Sequence, residues 1–117
     1  MSFQPTSDPA SKLEDFPLEV RDAYRRFCED GDIADLNTVV LAVLRDHMPK
    51  PDGNTLADEL RLIEDLGYDS LAIAEMVFFF EDLLQVRIEN RELLAVRTVG
   101  EVRRFVARKI QAKPAVA

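Results

Sequence analysis

Residues 64–71 read Glu64-Asp65-Leu66-Gly67-Tyr68-Asp69-Ser70-Leu71 and place a serine directly after a glycine-bearing loop. Gly67 frees the backbone just ahead of Asp69 and Ser70, and a strong helix is expected from Ser70 to about Gln85. Ile73, Met76, Val77, Phe80 and Leu84 recur at helical spacing and predict one continuous inward face. Leu71, Ala74, Glu75, Phe78 and Asp82 share another face that mixes large apolar with acidic side chains. That mixture suits a contact surface, the alternative being that Phe78 tucks against the loop or the N-terminal helix. A serine opening such a helix is a good address for a phosphate ester, because helix N-termini offer unpaired N–H groups and partial positive charge. Asp-Ser at a helix start is also a common structural cap, so these residues alone leave both readings open.

Upstream, residues 52–69 form a long connection, of a length that is usually functional inside a small domain. Thr55 followed by Asp58 is expected to cap a short turn carrying Leu56 and Leu60, while Leu62, Ile63 and Leu66 anchor the loop to the core. Before it, Asp32 is the expected N-cap of a helix that buries Ile33, Leu36, Val40, Val43 and Leu44. His47 lies on or beside that face near the helix end, in a capping or half-buried role, and Pro49 and Pro51 stop the helix. Further upstream, Pro17 is expected at the first position of a helix with a stripe of Val20, Ala23, Tyr24, Phe27 and Cys28, and Gly31 stops it.

Downstream, Val86-Arg87-Ile88 reads as a link, and Asn90 is expected to cap a short helix through Val96. Thr98 and Glu101 form a capping box for a last helix with Val99, Val102, Phe105, Val106 and Ile110 inward. No stretch alternates with period two for long enough to make a strand. The expected class is therefore all-α. Residues 1–14 read as a disordered leader, 15–31 as an extra N-terminal helix, 32–112 as the main domain and 113–117 as a frayed tail.

Charge is unevenly spread over the net −7. Residues 32–90 carry four basic and thirteen acidic side chains, and residues 91–117 carry seven basic and two acidic ones. The acidic middle repels nucleic acid phosphates and favours partners with basic surfaces. Arg103, Arg104 and Arg108 alternate with buried positions and read as a solvated face, or as partners of the acidic middle. No apolar run approaches the roughly 20 residues of a membrane span, nor does the N-terminus resemble a signal peptide, so a cytoplasmic monomer is expected. Cys28 and His47 are each the sole residue of their kind, too few for a structural zinc site or an internal disulfide. A serine nucleophile would need a positioned base, so no catalytic residue and no metal are assigned.

With these features together, residues 32–111 resemble the acyl carrier protein family: a first helix, a long loop, Asp69-Ser70-Leu71, an acidic helix, a short third helix and a final helix beginning Thr98-Val99. Glu75, Val77, Glu81 and Ile88 also match family positions. The resemblance implies a four-helix bundle with a 4'-phosphopantetheine arm on Ser70, flanked by Asp69 and Leu71. A phosphopantetheinyl transferase would attach the arm from coenzyme A. The arm's thiol would then carry acyl groups as thioesters for fatty acid, polyketide or specialised lipid enzymes with basic docking patches. Leu71, Ala74, Glu75, Phe78 and Asp82 would meet those partners, and Ile73, Met76 and Phe80 would line an acyl pocket. Ala72, Leu83 and Arg87 stand where the family usually has acids, and Ile73, Phe78, Phe79 and Phe80 are bulkier than usual, which implies a dedicated pathway. A carrier of amino acids or peptides and an unmodified helical adaptor are the alternatives.

Overall fold

In the computed structural model, which describes residues 9–49 and 56–112, five helices follow one 3-10 turn at Pro9–Leu13. They are α1 (Leu18–Asp30), α2 (Ile33–Asp46), α3 (Ser70–Leu84), α4 (Asn90–Leu93) and α5 (Val99–Ala112). Their ends follow local chemistry. Gly31, in the left-handed region, donates its N–H to Phe27 and closes α1. Asp32 then accepts from the Ala34 N–H at 2.8 Å and opens α2. At α5, Glu101 accepts from the N–H groups of Arg97 and Thr98, while Thr98 Oγ1 accepts from the Glu101 N–H, completing the expected box.

The centre of the core is α2, whose Leu36, Val39, Val40, Val43 and Leu44 are fully buried. They share one cluster with Met76, Val77, Phe80, Leu83 and Leu84 of α3 and Val99, Val102, Phe105 and Val106 of α5. Helix α1 lies along α2, tied at its exposed edge by Arg26 and Asp35 at 3.0 Å. Tyr24 reaches from α1 to donate its hydroxyl to the Leu83 carbonyl at 3.2 Å.

Several boundaries and faces differ from the sequence reading. Pro9–Leu13, inside the stretch read as a disordered leader, form a 3-10 turn, because Leu13 has a place in the core and Phe16 packs against it. Pro17 is the N-cap of α1 and Leu18 its first residue. Cys28 is exposed, since Val20, Ala23 and Phe27 centre the buried stripe and Cys28 falls past its edge. Ile33, in the first turn of α2, is 36% exposed, and Ile63 is exposed between inward-facing Leu62 and Leu66. Helix α2 ends at Asp46, ahead of Pro49, with His47 as its half-buried C-cap. Helix α3 buries Ala72 and Leu83 in addition to the expected face, and Ile73 is only half-buried. The cap of α4 is Glu89, whose N–H is taken by Glu92 Oε1 at 2.9 Å, and Asn90 is the first helical residue. Pro51, Thr55 and the tail from 113 lie outside the described residues.

The basic last helix does pair with the acidic middle, through a two-pronged contact of Arg103 with Asp58. Lys109 Nζ lies 2.8 Å from Glu92, an acid of the basic segment itself. Arg103 holds the Asp58 carboxyl below its usual range, and the Arg97 and Thr98 N–H groups do the same for Glu101. Carboxylates that titrate lower folded than unfolded contribute stability that is complete above the unfolded pKa and is lost as pH falls through the folded one. The melting temperature is therefore expected to fall as pH drops below the ordinary glutamate value of 4.5. Glu101→Gln should melt lower than the parent at neutral pH, and the gap should close as pH falls through the lowered folded-state pKa of Glu101.

Candidate functional site

The site is built where the long connection meets the start of α3. Residues 61–68 fold back on themselves: Asp65 and Leu66 donate their N–H groups to the Arg61 carbonyl, and Tyr68 donates its N–H to Leu62 at 2.9 Å. Asp65 Oδ2 accepts from the Arg61 N–H at 2.7 Å and so closes the coil from the other side. Gly67 makes the reversal possible with a φ of +78°, a conformation that costs any side-chain-bearing residue about 1 kcal/mol or more. The result turns Leu62 and Leu66 inward and delivers Tyr68 into the core, where it is 2% exposed. Its hydroxyl donates to the carbonyl of Leu44 in the last turn of α2 at 2.6 Å. Burial pushes that hydroxyl's pKa well up, so it stays protonated and remains a donor at any ordinary pH.

This coil is fastened to the entrance of α5. Leu62 donates its N–H to Arg97, Val99 to Leu60 and Gly100 to Asp58, at 2.9, 3.0 and 3.0 Å, around an isolated antiparallel bridge between Arg61 and Thr98. Gly100 suits the close approach, because a Cβ there would lie 3.0 Å from the Asp58 Cβ and push Asp58 back by a few tenths of an ångström. Fixed at both ends, the loop hands the chain to α3 in one position.

At that handover Asp69 is the N-cap. Its Oδ1 accepts from the Ala72 N–H at 2.8 Å, and its carbonyl accepts from the Ile73 N–H at 3.0 Å. The N–H groups of Ser70 and Leu71, ahead of these, find no acceptor among the described residues. Ser70 is therefore the first helical residue rather than the cap; it is exposed, and its hydroxyl is not used to hold the helix. Two open N–H groups beside an exposed hydroxyl suit a phosphate ester, so the site fits a phosphopantetheine arm.

Beside Ser70 runs a groove of about 750 Å³ between the coil, α3, α4 and the entrance of α5. Its buried and half-buried lining is apolar, from Leu62, Ile73, Ala74, Leu93 and Val96. Ile63, Leu94, Arg61, Glu64, Asn90 and Arg97 line it with exposed side chains. Of the three residues read as lining an acyl pocket, Ile73 alone borders this groove, whereas Met76 and Phe80 are in the core, 4% and 2% exposed. The contributions of Ile63, Leu93, Leu94 and Arg97 escaped the sequence reading. The signal available was an excess of apolar residues at 93–96 over what a four-residue helix buries. Glu81 positions α4 by accepting from the Ile88 N–H at 2.8 Å, across the link that leaves α3 through Gln85 at a φ of +56°.

The face read as a contact surface is largely exposed. Leu71 and Phe78 are 67% and 63% exposed, so Phe78 stays largely open. Glu75 and Asp82 are exposed on the same side, and Ala74 is half-buried between that face and the groove.

The family described as "Phosphopantetheine attachment site" matches residues 39–106. The chain belongs to the phosphopantetheine-attachment family of acyl carrier proteins. Acyl carrier protein MbtL of Mycobacterium tuberculosis is 35% identical over 74 residues, which cover 63% of this chain and 87% of that protein. The acyl carrier protein of Thermotoga maritima is 32% identical over 59 residues, 50% of this chain and 73% of the relative. That of Saccharopolyspora erythraea is 43% identical over 47 residues, 40% of this chain and 50% of the relative. No solved structure gives a significant match. As an acyl carrier protein of this family the chain takes a 4'-phosphopantetheine prosthetic group, and its class works with a phosphopantetheinyl transferase and acyl-processing enzymes. The 3-10 turn, α1 and the first half of α2 lie outside the matched span. Among the described residues no helix is long and apolar enough to cross a membrane.

Tyr68 is the anchor on which the approach to α3 rests. Tyr68→Phe leaves the Leu44 carbonyl without its donor and should cost about 1–2 kcal/mol in urea unfolding. Loss of less than about 0.3 kcal/mol would show that water replaces the hydroxyl at no cost.

Proposed function

We propose that Ser70 bears the phosphopantetheine arm and that the chain carries acyl intermediates between enzymes of one dedicated fatty acid, polyketide or specialised lipid pathway. One observation supports this above others: an exposed hydroxyl at the first position of α3, beside open N–H groups, borders a groove with an apolar lining. When bound, the arm supplies a terminal thiol that holds the acyl group as a thioester. The chain's own residues provide the rest. Asp69 fixes the helix start, and the Ser70 and Leu71 N–H groups receive the phosphate's charge. Ile73, Leu93 and Val96 offer the cargo an apolar lining, with burial worth about 25 cal/mol per Å². Leu71, Glu75 and Phe78 meet the partner, where charge complementarity speeds encounter and sets register more than it adds affinity.

The dedication to one pathway is supported by how few acids α3 presents. Ala72 and Leu83, at positions where the family usually has acids, are buried, and Glu81 is spent on the Ile88 N–H. A partner that reads a dense acidic stripe finds less of it here.

Incubation with a broad-specificity phosphopantetheinyl transferase and coenzyme A, followed by intact mass measurement, tests the assignment. The parent chain should gain one phosphopantetheinyl group and Ser70→Ala none. An equal gain in both would move the attachment elsewhere, and no gain in either would favour the adaptor reading.

A further inference from the structure

The N-terminal extension does more than cover the bundle. Leu13 is 1% exposed, and Phe16 sets its ring 5.8 Å from that of Phe79 on α3. His47 meets the same Phe79 ring edge-on at 5.1 Å, so Phe79 is clasped from two sides. Within the 3-10 turn and next to Leu13, Lys12 places its Nζ 5.3 Å from the Phe79 ring centre and 3.4 Å from Asp82 Oδ2. A surface ion pair of this kind has little holding power of its own. Burial of Leu13 and the ring contact fix the strap, and the strap in turn fixes a cation at the end of the contact face.

The consequence is a face with two signs. Glu75, Phe78 and Asp82 follow one another at i, i+3 and i+7 along α3 and so line one side. Asp82 faces Lys12, which leaves Glu75 as the exposed acid of α3 without an ion-pair partner among the described residues. We propose that Lys12 is part of the docking surface and sets partner choice. A matching partner presents a cation to Glu75, an apolar socket to Phe78, and a neutral or acidic group opposite Lys12. Enzymes whose docking patch is basic along its whole length meet a like charge at the Lys12 end, which costs them encounter rate and register. This rests on α3 being the docking helix of the carrier.

The test is steady-state phosphopantetheinylation of the full chain by a transferase with a uniformly basic docking patch, comparing the parent with Lys12→Glu and with Glu75→Lys. Lys12→Glu should raise kcat/KM about threefold or more at low ionic strength, through KM, with the gain erased near 0.5 M salt. Glu75→Lys should lower kcat/KM under the same conditions. If Glu75→Lys lowers it and Lys12→Glu leaves it unchanged, α3 docks and the role of Lys12 is overturned. If neither variant changes it, α3 is not the docking helix and the proposal falls with that reading. Melting curves of both variants distinguish these outcomes from unfolding, since Lys12 and Glu75 are not core residues.

Discussion

The fastening of residues 58–62 to residues 97–100 is the constraint on which the rest of the molecule depends. Three backbone hydrogen bonds, the contact of Asp58 with Arg103 and the absence of a side chain at Gly100 join two segments about forty positions apart in sequence. Without that junction the loop would be a long tether between α2 and α3. With it, the loop becomes one wall of the groove, and Tyr68 can plug into the end of α2. The helix that follows then begins at a fixed place. Ser70 is exposed at that place, and the buried neighbours that precede it hold it there.

Much of this was legible in local sequence. Asp32, Thr98 with Glu101, and Gly31 are read correctly because a cap is settled within four residues. The inward faces of α2, α3 and α5 follow from spacing, since a helix that buries one side advertises it. Errors fall at the margins: Cys28 in α1 and Ile33 in the first turn of α2 are apolar and nearly in phase yet exposed, and Ile63 is exposed between inward-facing neighbours. Periodicity locates the centre of a buried face and not its width.

What sequence could not reveal is non-local. A single bridge between Arg61 and Thr98 has no alternating pattern to announce it, and the groove draws its lining from four separate segments. The strap is hidden for the same reason. A short Pro-bearing, polar leader has the composition of a disordered segment, and the distant helix α3 gives Phe16 the Phe79 ring to pack against and the 3-10 turn a surface to lie on. Family likeness supplied the role of Ser70 as an expectation, whereas physical reading of the residues showed only that the position could accept a phosphate.

The most direct test of a prebuilt address is a pair of amide NMR spectra of the full chain, recorded before and after loading with the arm. The account predicts the largest shifts at the Ser70 and Leu71 amides, with smaller ones along the groove. The amides of Leu62, Val99 and Gly100, which hold the junction, should stay where they are. Silent Ser70 and Leu71 amides, or shifts spread through the junction and the core of α2, would contradict it.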